Sequence, residues 1–224
     1  MKFASGAAVN AHIVDPYNPL GLPPFTIRCF FTGGYTPTSI GDSQTLVEQV
    51  AFDKSIWDIT KNSTNWSSLF ASNKYLRSVL GANTKGVTNM ASMFFNHTQT
   101  ELDVALFDTS SVINFRSMFS QCYYLYNIPL YDTSSGENMS YMFSYCTALT
   151  HLPLINTSSC KYAYGMCQYC NKVESGALAL YQQMSTQVNP PTNHTDTFYY
   201  CGHDTVTGAA ELAQIPTSWG GTAS

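Results

Sequence analysis

The sequence predicts an α/β solenoid of about five to six coils, each a short helix and a short strand of roughly 24 residues in all. Three observations carry that expectation. Five segments align in register: Asn65-Trp-Ser-Ser-Leu-Phe70, Asn89-Met-Ala-Ser-Met-Phe94, Asn114-Phe-Arg-Ser-Met-Phe119, Asn138-Met-Ser-Tyr-Met-Phe143 and Tyr162-Ala-Tyr-Gly-Met-Cys167, starting 24, 25, 24 and 24 residues apart. Three residues beyond each segment the series reads Asn73, His97, Cys122, Cys146, Cys170. Between the segments recur Phe107-Asp-Thr-Ser-Ser111, Tyr131-Asp-Thr-Ser-Ser135 and Ile155-Asn-Thr-Ser-Ser159. A repeat unit this short cannot bury its own apolar face, so the copies must stack and share a core.

Within the fourth copy Met139, Met142, Phe143 and Cys146 fall at i, i+3, i+4 and i+7, the spacing of one face of a two-turn helix. Asn138 stands where an N-cap would, as do Asn89 and Asn114. Leu152 and Leu154 then alternate like a short strand with one buried face, and Ile128 and Leu130 do the same one copy earlier. The Asp/Asn-Thr-Ser-Ser runs supply side chains that bond nearby backbone and turn the chain.

The organisation expected is an extended lead-in or anchor over 1–24, a small β-rich N-terminal cap over 25–63, repeats over 64–173, and a capping helix with a degenerate last coil over 174–224. Four prolines mark the lead-in, and Thr26–Phe31 and Gln44–Phe52 are the strand candidates of the cap. In the final segment Val173, Ala177, Leu180, Tyr181 and Met184 share a helical face. Phe198-Tyr-Tyr-Cys201 then reuses the Phe-x-x-Cys spacing, and Ile215-Pro and Trp219 finish the cap.

Composition narrows the function. Charged residues make up 11% of the chain, under half of the roughly 25% usual in soluble domains. The net charge is −4, and Arg116 is the only basic residue between Lys85 and Lys161. A nucleic-acid partner is excluded, since such partners are held by clustered Lys and Arg. No stretch is apolar enough to span a bilayer, so no membrane insertion is expected. No signal-peptide h-region is visible after Met1, which leaves the export route of an extracellular or surface protein open.

The pattern Asn-Met-Ser-x-Met-Phe-x-x-Cys, a Leu-rich stretch and Phe-Asp-Thr-Ser, clear over about Thr64–Val173, resembles the BspA-type leucine-rich repeats of bacterial surface proteins. Asp15–Leu20, Glu174–Tyr181 and Ala213–Pro216 are also similar to a group from gut bacteria and their phages. His97 in place of Cys, Cys167 in place of Phe, and the shifted register over 97–107 depart from the pattern. The resemblance implies a short right-handed leucine-rich-repeat stack used for surface contact or adhesion, with no catalytic residues.

Seven cysteines are present, and Cys167-x-x-Cys170 with Cys160, Cys201 and His203 invites a zinc reading. Only one such pair exists, and Cys122, Cys146, Cys170 and Cys201 share one repeat position where a small buried thiol packs well. Free thiols are the expectation, with zinc or a disulfide as alternatives; no metal, cofactor or catalytic residue is assigned. Six Asn-x-Ser/Thr sequons coincide largely with repeat turns and read as structural.

The informative excess is tyrosine. Twelve of the 15 tyrosines lie between Tyr123 and Tyr200, many outside the apolar series. Equivalent positions in successive coils stack, so Phe95, Asn96, Gln121, Tyr123, Tyr124, Tyr126, Tyr141, Tyr145, His151, Tyr162, Tyr164, Tyr169, Tyr199 and Tyr200 are the candidate ligand-binding face. Tyr gives rigid amphipathic contact area at low entropy cost. The variable positions draw on residues reachable by changing adenines in an Asn codon, the vocabulary of a diversity-generating retroelement.

The function expected is therefore non-enzymatic recognition: a phage or prophage tail-tip receptor-binding protein, with a bacterial surface adhesin as the alternative and a purely structural virion protein as a reading of another class. Its partner is a host or bacterial cell-surface protein or glycan, with other virion proteins at the N-terminal segment.

Overall fold

The computed structural model describes residues 9–13, 26–31, 49–52, 64–73, 76–80, 84–103 and 107–223. Four strands form one sheet in sequence order: β1 (Val9–Ile13), β2 (Thr26–Phe31), β3 (Gln49–Phe52) and β4 (Ser78–Leu80). Beyond the repeats come helix α1 (Ala177–Thr186), helix α2 (Val206–Leu212) and a 3-10 turn, Thr217–Trp219.

Two parallel ladders tie successive coils together. The first joins Asn65 to Asn89, Asn114, Asn138, Tyr162 and Asn193 through isolated bridges. The second joins Ser78 to Asp103 and His151 to Ser175, about half a coil further on. That second ladder runs on into β3 and β2, since Gln49 pairs with Ser78 and Thr26 with Gln49, all parallel. β1, inside the segment expected as a lead-in, pairs antiparallel with β2. The rest of the lead-in and residues 44–48 of the second strand candidate lie outside the described residues.

The helix expected in each coil is replaced by a run of turns. In the fourth coil the amides of Met139, Tyr141, Phe143 and Tyr145 donate to the carbonyls of Tyr162, Tyr164, Met166 and Gln168 in the next coil at 2.8–2.9 Å. The intervening amides of Met142, Ser144 and Cys146 donate three residues back, at 3.0–3.1 Å. An α-helix would send every amide four residues back and keep φ negative. Here Tyr141 and Tyr145 have φ of 59° and 62°. Met139, Met142, Phe143 and Cys146 are nonetheless fully buried, because this turn series and a helix inherit the same inward spacing. The Asn at each coil start accepts from the amide two residues on (Ser67, Ala91, Arg116, Ser140; 3.0–3.1 Å), a capping bond with no helix behind it.

The short strand at Leu152–Leu154 is also absent. Leu152 is buried, but Leu154 is 64% exposed and Ile155 turns inward. The Ile155 amide donates to Pro153 at 3.0 Å, a tight turn that shifts the alternation by one residue. Leu130, at 75% exposure between buried Ile128 and Tyr131, repeats the pattern.

The core is itself a set of rows. Phe70, Phe94, Phe119 and Phe143 stack with their rings nearly parallel at 5.6, 5.6 and 6.3 Å. The Cys122, Cys146 and Cys170 thiols donate to the Phe94, Phe119 and Phe143 carbonyls at 3.1–3.2 Å, and the six cysteines whose side chains are described are free. His97 heads this row, bonding the Leu76 carbonyl through Nε2. On the turn side Thr109 and Thr133 donate to the Asp132 and Asn156 carbonyls at 2.8 and 2.7 Å.

At the far end α1 buries Ala177, Leu180 and Met184, while Tyr181 meets Trp219 edge-on at 5.4 Å. The α1 N-terminus lacks a side-chain cap of its own, and Glu211 of α2 accepts from the Leu178 amide at 3.0 Å. This carboxylate also suits the positive end of the helix dipole. Phe198 is bonded through its amide to the Trp219 carbonyl, so the last coil is closed by residues that follow it.

Candidate functional site

Each coil of this turn series holds two outward positions in the left-handed backbone region. One row is Ser68, Ser92, Ser117, Tyr141, Gly165 and Asp196; the other is Ser72, Asn96, Gln121, Tyr145, Tyr169 and Tyr200, all with φ between 55° and 63°. A residue with a Cβ pays about 1 kcal/mol or more there, and Asn or Gly suits the site best. The fold accordingly uses Ser, Asn or Gln in the first three coils. In the later coils four of the positions carry Tyr, against backbone preference.

These side chains form a continuous aromatic row. Tyr145 and Tyr169 stack at 4.5 Å and 18°, and Tyr169 and Tyr200 at 5.7 Å and 15°. Tyr123 meets Tyr145 edge-on at 6.4 Å. Tyr199 stands nearly perpendicular to both Tyr169 (5.4 Å) and Tyr200 (4.7 Å). His203 extends the row, its ring 4.8 Å from that of Tyr200.

A second group lies on the neighbouring row: Tyr141 meets Tyr164 edge-on at 5.1 Å, with the Arg116 guanidinium 5.5 Å over the Tyr141 ring. Gly165 makes this possible, since a Cβ there would sit 2.9 Å from Tyr141 Cε1. Desolvation first, then the Tyr164 hydroxyl, pushes the Tyr141 phenol up; desolvation, then the Tyr145 and Tyr200 phenols, does the same to Tyr169. Tyr199 is raised likewise, and the Asp196 carboxylate adds to all three. These phenols therefore stay protonated, as hydrogen-bond donors, well beyond neutral pH.

The remaining sequence candidates fall elsewhere. Phe95 and Asn96 are half-buried in the second coil, and Gln121 continues the row toward them. Tyr124 is 57% exposed, and Tyr126 bonds Glu101 through its hydroxyl. His151 belongs to the second ladder, with Nδ1 2.8 Å from Ser175 Oγ, and Tyr162 to the first. Among the described residues no ring contact joins Tyr124, Tyr126, His151 or Tyr162 to either aromatic group. Arg116, Gly165, Asp196 and His203 were not among the sequence candidates for the binding face, His203 having been weighed only as a zinc ligand. Gly165 alone left a signal, as a Gly in a register position filled by Ser or Tyr in the four preceding coils.

Beside the row's end lies a recess of about 290 Å³ lined by Tyr199, Tyr200, His203, Leu212, Gly220, Gly221 and Thr222. Among the described residues no group of His, Cys, Asp and Glu converges as a metal site, and no helix is long and apolar enough to cross a membrane.

The stacked coils coincide with a match to a known family. Residues 64–180, just over half of the chain, match the family described as "Mycoplasma protein of unknown function, DUF285". The chain belongs to this family. The DUF285 family is related to the BspA-like surface proteins. Comparison with curated proteins and with solved structures yields no match. The matched span of this DUF285 chain includes Tyr123, Tyr141, Tyr145, Tyr164 and Tyr169, but ends before Tyr199, Tyr200 and His203.

Proposed function

We propose that this DUF285 chain is a non-enzymatic recognition protein: a leucine-rich-repeat solenoid whose tyrosine row adheres to a cell surface. The observation that supports it is the placing of Tyr141, Tyr145, Tyr169 and Tyr200 in left-handed backbone, where the same fold elsewhere uses Ser, Asn and Gln. Strain held at half-buried and exposed aromatic side chains that lie outside the core argues for a role outside the fold. Tyr is also a residue over-represented at energetically dominant interface positions.

Within this reading the protein sits on a phage or prophage tail tip, attached to the particle through its N-terminal segment, with the tyrosine positions open to diversification. That placement rests on the resemblance of Asp15–Leu20 to the gut-bacterial and phage-associated group, a segment outside the family match over 64–180. The relation of DUF285 to BspA-like surface proteins favours a second reading, a bacterial surface adhesin presenting the same face.

The test is binding of labelled full-length protein to candidate host cells beside the triple variant Tyr145→Asn, Tyr169→Asn and Tyr200→Asn. Asn is accommodated in left-handed backbone, so the variant keeps its circular dichroism spectrum and thermal midpoint. Saturable binding by the parent, weakened at least about tenfold in the variant, is expected. Equal binding by the two proteins would move recognition to another face.

A further inference from the structure

The aromatic row does not offer its ring faces evenly. Both faces of Tyr169 are taken, by Tyr145 at 4.5 Å and Tyr200 at 5.7 Å, and Tyr200 has His203 at 4.8 Å as well. The middle of the row thus presents ring edges and hydroxyls. Tyr199 differs: it is perpendicular to Tyr169 and Tyr200, stacks on neither, is 39% exposed, and lines the recess at the row's end.

Two glycines let the C-terminal segment pack closely against the last coil beside the recess. A Cβ on Gly220 would lie 2.6 Å from the Tyr199 amide nitrogen, and one on Gly221 would lie 1.9 Å from the Ile215 carbonyl oxygen. The Gly220 backbone therefore lies against the Tyr199 backbone, Leu212 adds an apolar side chain to the lining, and Thr222 adds an exposed hydroxyl. His203 Nδ1 is 2.9 Å from Asp204 Oδ1, which fixes Nδ1 as the donor and leaves the lone pair on Nε2. Among the described residues no Lys or Arg lines the recess. At about 290 Å³ it sits at the small end of ligand sites, which begin near 300 Å³.

We propose that this recess binds one neutral sugar ring of a cell-surface glycan, an inference that rests on the recognition function above and names its ligand. An aromatic face with negative quadrupole suits the polarised C–H groups of a pyranose. The Tyr hydroxyls, Thr222 and His203 Nε2 suit its hydroxyl groups, which both donate and accept. The absence of a cation from the lining directs the choice to neutral rather than acidic sugars, and the volume admits a single ring.

Saturation-transfer NMR on the full chain tests this, with methyl glycosides of glucose, galactose, mannose and N-acetylglucosamine as probes and glucuronic acid as the acidic control. At least one neutral glycoside is expected to receive saturation from the protein. That transfer should vanish both in Tyr199→Ala, which removes the ring, and in Thr222→Trp, which fills the recess, and survive in Leu154→Ala, an exposed position outside the row and the recess. Circular dichroism of each variant checks folding. Lack of transfer to every neutral glycoside, preference for glucuronic acid, or transfer surviving in folded Tyr199→Ala and Thr222→Trp would each overturn the proposal. Cell binding kept by Tyr199→Ala but lost in the triple row variant would also overturn it, while leaving the recognition function standing.

Discussion

The first three coils and the last three present the same backbone to solvent with different side chains. Ser72, Asn96 and Gln121 occupy the outward left-handed position early in the stack; Tyr145, Tyr169 and Tyr200 occupy it later, with φ between 57° and 62°. The fold closes equally well over either set, so the tyrosines are not needed to make it. Inside the coils the order is reversed. The phenylalanine stack runs from Phe70 to Phe143 and stops at Cys167, close to where the tyrosine stack begins. Repetition in register lines up identical rings in both places. Burial makes one row a source of stability, while the other, half-buried at Tyr145 and Tyr169 and exposed at Tyr200, keeps part of each ring in solvent.

The largest effect should come from breaking the inner row. Phe119 is fully buried and stacks between Phe94 and Phe143, with Tyr131 at 5.9 Å. Phe119→Ala should lower the unfolding free energy by about 3–5 kcal/mol, read from urea midpoints. A loss no larger than that of an outer-row substitution would erase the distinction between the two rows.

The thiols give the next effect, confined to the inner side. Burial pushes Cys160 and Cys170 up to about 12 and Cys146, Cys167 and Cys201 well above the ordinary thiol value. Protonated thiols are thus favoured by the fold. Their contribution is complete below the unfolded value near pH 8.5 and is lost as pH rises toward the folded value. Between those limits stability should fall by about 1.4 kcal/mol per pH unit for each thiol. Cys170→Ala should remove one thiol's share of that slope in urea titrations run at increasing pH. An unchanged slope would show that Cys170 is not held protonated.

How much of this was legible beforehand follows from what repetition can and cannot encode. The inward set Met139, Met142, Phe143 and Cys146 could be read from spacing, because burial imposes the same intervals on a helix and on this turn series. The partner of each amide could not, since the Tyr162, Tyr164 and Met166 carbonyls lie a whole coil away and leave no local trace. Leu154 was misread for a related reason: the Pro153–Ile155 turn shifts the phase of the alternation, and residue types alone do not show it. In the candidate site, counting back from Cys146 and Cys170 aligns Tyr145 with Tyr169. The roles of Gly165 and Asp196, by contrast, arise from neighbours one or two coils distant. His203 joins the row only because the last coil reuses the spacing ahead of Cys201.

His97 marks the early end of the thiol row and offers a smaller, acid-side test. Desolvation lowers its pKa below 6.5, against the raising influence of the Leu76 carbonyl. The fold therefore holds it neutral, and the associated stability is present above the unfolded value and lost as pH falls below about 6.5. His97→Cys, which installs the residue of the later coils, should flatten the stability profile between about pH 6.5 and pH 5. An equally steep profile in the variant would place the acid sensitivity elsewhere.

The smallest stability effect is the most informative about function. Tyr169→Asn removes ring contacts worth about 0.5–1.5 kcal/mol each when well packed, and less at a half-exposed position. It also relieves about 1 kcal/mol of left-handed backbone strain. These changes oppose each other, so the urea midpoint should move by no more than about 1 kcal/mol in either direction, while cell binding falls. Stability and binding then separate at a single residue, as a side chain selected for an external partner requires. A loss comparable to that of Phe119→Ala would instead make Tyr169 a structural ring, and the contrast between early and late coils would reflect packing rather than recognition.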